Sequence, residues 1–107
     1  MTPRGRLPVL LAPIASDDLD EAFVYVAEHN RTAASDLLDG VQAAVERLGE
    51  FPEMGVALPA EQYELLSPGV RVVTVEPYAV FYRVTPTAVV ILRIMHMRRD
   101  ALGEMLE

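Results

Sequence analysis

The sequence predicts an α+β domain in which a strand, an antiparallel helix hairpin and a three-stranded antiparallel meander follow one another. Residues 17–48 place apolar side chains at helical spacing, whereas residues 70–100 alternate and are rich in Val, Ile, Phe, Tyr and Thr. Pro77 and Pro86 divide the second region into three runs, as expected of strands joined by tight turns. A chain of 107 residues is long enough for one hydrophobic core, so we expect a single domain over 1–107.

The first strand and the first helix are predicted from the prolines that bound the strand and from the residues that can cap the helix. A first strand is predicted at residues 9–14, next to Pro8 and Pro13. Ser16 offers a side-chain oxygen as an N-cap, and the acidic residues after it suit the exposed N–H groups and the dipole of a helix start. The first helix is therefore predicted over about 17–29, with Asn30 closing it.

The second helix is predicted to begin near Thr32 and to be ended by Gly49 and Pro52. Because the link to the first helix is so short, the two helices must pack antiparallel. Gly40 lies inside this helix, where glycine costs about 1 kcal/mol relative to alanine, so it either permits a close approach of another element or is simply tolerated. Residues 53–69 lack a sustained period and are predicted to be a long surface connection.

Composition excludes several classes of protein. The apolar content of 51% is too high for a disordered chain, and the absence of cysteine excludes disulfides and thiolate catalysis. Two histidines give little basis for a metal site, and no cofactor is predicted. The early apolar run is interrupted by prolines and matches a strand rather than a signal peptide or a membrane span, so we expect a cytoplasmic protein without membrane contact.

The charge is unevenly distributed. The formal net charge is -7, and residues 15–64 hold twelve acidic residues against two arginines, whereas residues 65–107 are close to neutral. Affinity for nucleic acid depends largely on the neutralisation of phosphates. The chain is therefore not expected to bind nucleic acid on its own.

Alternation sorts the side chains of the predicted meander onto two faces. One face is expected to receive the helices and collects Val73, Val75, Val80, Tyr82, Val84, Val90, Leu92 and Ile94. The other holds Val70, Val72, Phe81, Val89 and Ile91 beside Thr74, Glu76, Arg83 and Arg93, and is too apolar to face only water. Two alternatives remain for what covers this face: a partner chain, or residues 101–106 as a short C-terminal helix.

Several motifs resemble the ParE branch of the RelE/ParE toxins of bacterial type II toxin–antitoxin systems, over roughly residues 9–100. The sequence carries SDDLDEAFVYVAEHN, then GVRVVTVEPYAVFYRV, and ends its meander with VVILRIMHMRRD. The more specific features are Leu48, Pro52 and Gly55 in an L-x-x-x-P-x-x-G pattern, Gly69 and Arg71 at a strand start, and Tyr78 before the triplet Phe81, Tyr82 and Arg83. Their order and spacing make the resemblance specific.

The resemblance implies a RelE/ParE-like fold and a small toxin that a cognate antitoxin neutralises by covering its apolar grooves, in a toxin–antitoxin hetero-oligomer. ParE-like toxins poison DNA gyrase without covalent chemistry of their own. RelE-like toxins instead cut mRNA on the ribosome, which needs acid–base side chains and cations beside the phosphate. A third possibility is a degenerate member that acts only in complex with its antitoxin.

The residues favour the binding function over the ribonuclease. Ala79 stands where the RelE-like pattern has a basic residue, and no tyrosine follows His96. No catalytic residue is therefore predicted, His96 and Arg98 being the remnant that could serve as an acid and a phosphate clamp. The predicted partner-binding residues are Arg71, Val72, Phe81, Arg83, Ile91, Arg93, Arg98 and Arg99, since arginine pairs well with antitoxin carboxylates.

Overall fold

A computed structural model of the chain describes residues 6–58 and 69–98, which form two helices against one side of a mixed five-stranded sheet. The elements in chain order are β1 (Val9–Leu11), α1 (Pro13–Ala27), α2 (Arg31–Glu50), β2 (Val56–Ala57), β3 (Arg71–Val75), β4 (Tyr78–Val84) and β5 (Val89–His96). The predicted α+β class, helix hairpin and meander of β3, β4 and β5 are confirmed. Neither described helix is both long enough and apolar enough to cross a membrane.

Helix α1 begins earlier than its sequence predicted, and Ser16 is not its N-cap. The N–H of Ala12 donates to the carbonyl of Ile91 at 2.9 Å, so Ala12 still belongs to the sheet, while its own carbonyl accepts from Ser16 N at 3.0 Å. One residue thus ends the strand ladder and caps the helix, and Pro13 supplies a preset φ at the first helical position. The strand predicted at 9–14 is shortened to Val9–Leu11 for the same reason.

Helix α2 begins at a side-chain cap and ends at a proline. Oδ1 of Asn30 accepts from Ala33 N at 3.0 Å, so Asn30 caps α2. Its backbone N–H also donates to the Val26 carbonyl at 2.8 Å, so Asn30 closes α1 as predicted. Gly49 does not end the helix: it lies inside its last turn, where a Cβ atom would stand 2.9 Å from the carbonyl oxygen of Leu7. The chain leaves the helix at Phe51, directly before Pro52.

The sheet has the strand order β1-β5-β4-β3-β2. Strand β1 pairs in parallel with the first residues of β5, and β2 pairs antiparallel with the start of β3 through Val56↔Val72 and Ala57↔Arg71. The prediction that 53–69 is only a surface connection is wrong at β2. Residues 59–68 of that connection lie outside the described part of the chain.

The main core lies between the helices and one face of the sheet. Its buried members are Ala15, Ala22, Leu37, Val41, Leu48, Val73, Tyr78, Val80, Tyr82, Val89, Ile91 and Ile94. Gly40 allows α2 to approach the sheet closely, because a Cβ atom there would lie 2.8 Å from Cγ1 of Val75. The close-approach interpretation of this glycine is therefore confirmed.

A β-bulge corrects the predicted faces of β5. Phe81 pairs with Arg93 but the next residue, Tyr82, pairs with Ile91, so Leu92 is an extra residue in the ladder. An extra residue exchanges the two faces of the sheet for all side chains on one side of it. Assigning faces by alternate residues therefore places the first half of β5 on the wrong faces. Val89 and Ile91 face the helices, whereas Leu92 packs against the opposite cluster, each the reverse of the prediction.

The outer face of the sheet carries a second, smaller cluster. Val70, Ala79 and Phe81 are buried there, with Leu58, Val72, Leu92, Met95 and Met97 packed against them. Phe81 is only 5% exposed, so the centre of this face is not an open apolar surface in the isolated chain. The predicted short helix at 101–106 lies outside the described residues.

Candidate functional site

A half-open cleft of about 460 Å³ lies between α1 and the carboxyl-terminal half of β5. Its lining residues come from α1, the start of β4 and the end of β5: Asp18, Glu21, Ala22, Tyr25, Tyr78, Arg93, Ile94 and Met95. The cleft exists because β1 pairs only with the first residues of β5 before the chain turns into α1.

Asp18 closes the edge of β5 beyond the end of β1. Its carboxylate accepts two hydrogen bonds from Arg93, from Nε at 2.8 Å and from Nη2 at 3.0 Å, and a third from the backbone N–H of Ile94 at 3.0 Å. The Asp18 side chain is 9% exposed and that of Arg93 is 41% exposed. Arg93, predicted to hold an antitoxin carboxylate, thus already holds a carboxylate of its own chain.

His96 lies at the end of β5 against Tyr78. The two rings meet edge to face, with centroids 5.3 Å apart and an interplanar angle of 84°. The backbone N–H of Arg98 donates to Nδ1 of His96 at 3.1 Å, so the neutral imidazole carries its proton on Nε2. Tyr78 is buried while the Arg98 residue is exposed, so His96 lies at the boundary between core and solvent.

Arg71 and Tyr82 fix the turn that follows α2. Nη1 of Arg71 donates to the carbonyls of Glu53 at 3.1 Å and Gly55 at 2.8 Å, and the hydroxyl of Tyr82 accepts from Gly55 N at 2.8 Å. Tyr82 is fully buried, and burial raises the pKa of its phenol, more than the Gly55 hydrogen bond and the charge of Arg71 lower it. Arg71 therefore acts as a clamp within the chain.

The remaining predicted partner-binding residues occupy different environments. Val72 is half-buried at the margin of the outer cluster, and half-buried Arg83 makes no hydrogen bond or ion pair within the described residues. Ile91 is 1% exposed in the main core, so its placement on the outer face was wrong. Arg99 lies outside residues 6–58 and 69–98.

Comparison with known families identifies the chain. Residues 9–101 match the model of the ParE toxin of type II toxin–antitoxin systems, parDE. The chain belongs to the ParE toxin family. Toxin ParE3 of Caulobacter vibrioides is 35% identical to it over 91 residues, which cover 84% of this chain and 86% of that protein.

Solved structures confirm the fold of this ParE-family toxin. A chain of the chromosomal ParDE toxin–antitoxin system of P. aeruginosa superposes with a TM-score of 0.68 at 24% identity, covering 86% of this toxin and 97% of that chain. A chain of the toxin–antitoxin complex RelBE2 of Mycobacterium tuberculosis gives a TM-score of 0.60 at 23% identity, covering 90% and 97%. Both solved structures belong to toxin–antitoxin systems.

Two structural roles in this toxin were missed by sequence reasoning. Asp18 is one of several acidic residues at the start of α1, and no linear pattern separates it from its solvated neighbours. The role of Gly55 did have a signal in the sequence, because Gly55 is the last residue of the L-x-x-x-P-x-x-G pattern. A Cβ atom at this position would stand 2.6 Å from the Tyr82 hydroxyl and 2.8 Å from the Val72 carbonyl oxygen. The pattern therefore marks a backbone that must pass directly over the sheet.

Proposed function

We propose that this ParE-family toxin inhibits DNA gyrase by binding, without covalent chemistry of its own, and that a cognate antitoxin neutralises it. The observation that favours binding over catalysis is that two of the three arginines in the described strands are already held by other groups of the chain. Arg71 is held by two backbone carbonyls and Arg93 by the carboxylate of Asp18. These arginines are committed to the fold rather than converging on a site where a phosphate could sit.

The alternative is a RelE-like ribonuclease centred on His96 and Arg98. In-line attack by a ribose 2′-OH needs a base, an acid and cations around the developing charge. The described end of β5 brings together one imidazole and the exposed residue Arg98, with apolar Met95 and Met97 beside them. This composition supports a partner-contacting rim more than a phosphate-cleaving centre.

For the antitoxin, we propose a docking area at the margin of the outer face rather than at its centre. Half-buried Val72 and Arg83 and exposed Arg98 remain accessible there, whereas Phe81 is buried in the outer cluster and Ile91 in the main core. Arg83→Ala and Arg98→Ala are each expected to weaken antitoxin binding by about two- to fivefold, as loss of a partly exposed charge pair does. Arg31→Ala, at the exposed start of α2, is the control.

Gyrase supercoiling in the presence of the purified toxin tests the proposed target. We expect inhibition and accumulation of cleaved DNA at toxin concentrations that arrest growth, and relief when antitoxin is added. Because gyrase works on chromosomal DNA, the toxin would act in the bacterial cytoplasm. Normal supercoiling at growth-arresting concentrations would refute the gyrase proposal.

Primer extension on ribosome-bound mRNA tests the ribonuclease alternative. Discrete cuts that disappear in His96→Ala and persist in His29→Ala, the exposed control two residues beyond α1, would establish catalysis in place of gyrase inhibition. We expect no such cuts with the wild-type toxin.

A further inference from the structure

We propose that the antitoxin anchors an apolar side chain, flanked by basic residues, in a groove at the carboxyl end of α2. The groove, called here the α2-end groove, is formed by Glu50, Phe51, Pro52, Glu53, Met54 and Val84 and encloses about 580 Å³. The inference deepens the proposed neutralisation and rests on it. The α2-end groove would be a second contact area, in addition to the margin of the outer face.

Exposed apolar side chains are concentrated at this groove. Phe51 is 60% exposed and Met54 39%, and Val56 in the adjoining edge strand β2 is 71% exposed. Single exposed apolar residues are ordinary on protein surfaces, but three within six positions of the chain, two of which line a groove, are typical of an interaction site. An exposed aromatic side chain in such a groove is the kind of residue that dominates binding energy.

The backbone holds Phe51 in this exposed position. Phe51 is the C-cap of α2 and its carbonyl accepts from Met54 N at 3.1 Å, which closes the turn around Pro52. The next residue, Gly55, is bonded to Tyr82 through its N–H and to Arg71 through its carbonyl. The groove is therefore a fixed feature, and a ligand need not order it on binding, which favours affinity.

The acidic residues around the α2-end groove favour a partner with basic residues. Glu50 and Glu53 are exposed on either side of Phe51. Glu50 lies 3.6 Å from Arg6, but both side chains are more than half exposed, and such a pair is easily exchanged. The chain carries a net charge of -7, so a second copy would bring acidic rim against acidic rim, whereas a segment with Lys or Arg beside an apolar anchor is complementary.

The test uses the full-length toxin and the full-length protein encoded by the reading frame adjacent to its gene, in a binding titration. Phe51→Ser is expected to raise Kd by about 30-fold or more, the size found for central aromatic anchors. The matched control is Val24→Ser, which removes an apolar side chain that is 57% exposed on α1, also among acidic residues, and should change Kd by less than about threefold. Thermal melts of both variants verify that the fold is intact.

Charge reversal tests the rim separately. Glu50→Lys with Glu53→Lys is expected to raise Kd by about tenfold at low salt and to flatten its dependence on salt, because attraction to basic residues is screened by ions. Asp36→Lys with Asp39→Lys, on the exposed face of α2, is the control and should leave the salt dependence nearly unchanged.

Each outcome distinguishes this inference from the function on which it rests. If wild-type toxin binds and Phe51→Ser binds within about threefold of it, the groove is refuted and neutralisation stands. An equal loss in Phe51→Ser and Val24→Ser would also refute a specific anchor. Loss of toxin self-association in Phe51→Ser, with unchanged antitoxin binding, would assign the groove to a second copy of the chain. Absence of any complex with wild-type toxin would overturn the antitoxin proposal itself.

Discussion

Replacing Tyr82 with phenylalanine tests how the turn after α2 is attached to the sheet. The ring stays and fills the same space, but the Gly55 N–H loses the hydroxyl that accepts from it at 2.8 Å. Tyr82 is fully buried and Gly55 is buried, so water cannot take the place of the hydroxyl without opening the structure. A buried donor left without an acceptor costs about 1–3 kcal/mol, which is the expected loss in the free energy of unfolding at pH 7.

The size of this loss is measurable by denaturant unfolding or by thermal melting. For a domain of this length 1 kcal/mol corresponds to roughly 4 °C or more in Tm. Thr74→Val is the control: it removes an exposed hydroxyl from the neighbouring strand and should change the free energy of unfolding by less than about 0.5 kcal/mol. Because Arg71 clamps the carbonyl of the same Gly55, a double-mutant cycle of Arg71→Met with Tyr82→Phe should give a coupling of at least about 0.5 kcal/mol.

The pH dependence gives this prediction a second signature. Burial raises the pKa of Tyr82 above its ordinary value of 10.0, so the folded chain holds the phenolic proton more tightly than the unfolded chain does. This contribution to stability is fully present below the unfolded pKa and is lost as pH rises through the folded pKa. The stability difference between wild type and Tyr82→Phe should therefore narrow above about pH 10. A difference that is absent at pH 7, or that stays constant into alkaline solution, would refute the reasoning.

Four further substitutions, which test three expectations, are predicted to change the free energy of unfolding. Gly55→Ala should cost at least about 2 kcal/mol because its Cβ meets the Val72 carbonyl at 2.8 Å. Gly40→Ala should cost less, about 0–2 kcal/mol, because its Cβ would force the Val75 side chain to shift but the helix gains propensity. Asp18→Ala should cost about 1–3 kcal/mol by leaving a strand N–H and an arginine without their acceptor. Ile91→Ala should cost about 2–5 kcal/mol as a core truncation.

These three expectations have distinct contrary outcomes. Equal losses for the two glycine variants would mean that the turn can move away from the sheet. Asp18→Asn keeps one acceptor oxygen, so a loss as large as that of Asp18→Ala would show that the charge, not the hydrogen bonds, stabilises the edge of β5. If Ile91→Ala weakened antitoxin binding while leaving the fold intact, the placement of Ile91 in the main core would be wrong.

The sequence could predict the long periodic elements because their signal is local. The apolar spacing of α2 and the alternation of β3 and β4 are repeated over several residues, and Pro52, Pro77 and Pro86 set boundaries through backbone chemistry. Strand β2 has two residues and therefore no period to detect. The start of α1 could not be placed from caps, because Ala12 bonds to Ile91 far along the chain.

The wrong face assignments on β5 have one physical origin, which is the bulge at Leu92. Sequence alternation assigns faces only while the ladder is regular, and one extra residue exchanges the faces of everything on one side of it. Ile91 was consequently predicted to be a contact residue and is a core residue. The hydrogen-bond partners of Arg71 and Arg93 are carbonyls and a carboxylate that are distant in sequence. No local pattern could therefore predict that these arginines are held within the chain.

The two edges of the sheet differ in what they offer to another chain. Beyond the end of β1, the N–H of Ile94 is taken by Asp18, and a strand approaching β5 there would have to displace a carboxylate that also holds Arg93. At the opposite edge, β2 is short and Val56 is 71% exposed, next to the fixed and exposed Phe51. Unpaired edges are where chains associate, and their blocking by charged groups prevents it. Among the described residues, Asp18 thus blocks β5 beyond the end of β1, whereas exposed Phe51 and Val56 lie on the β2 side, where we place the α2-end groove.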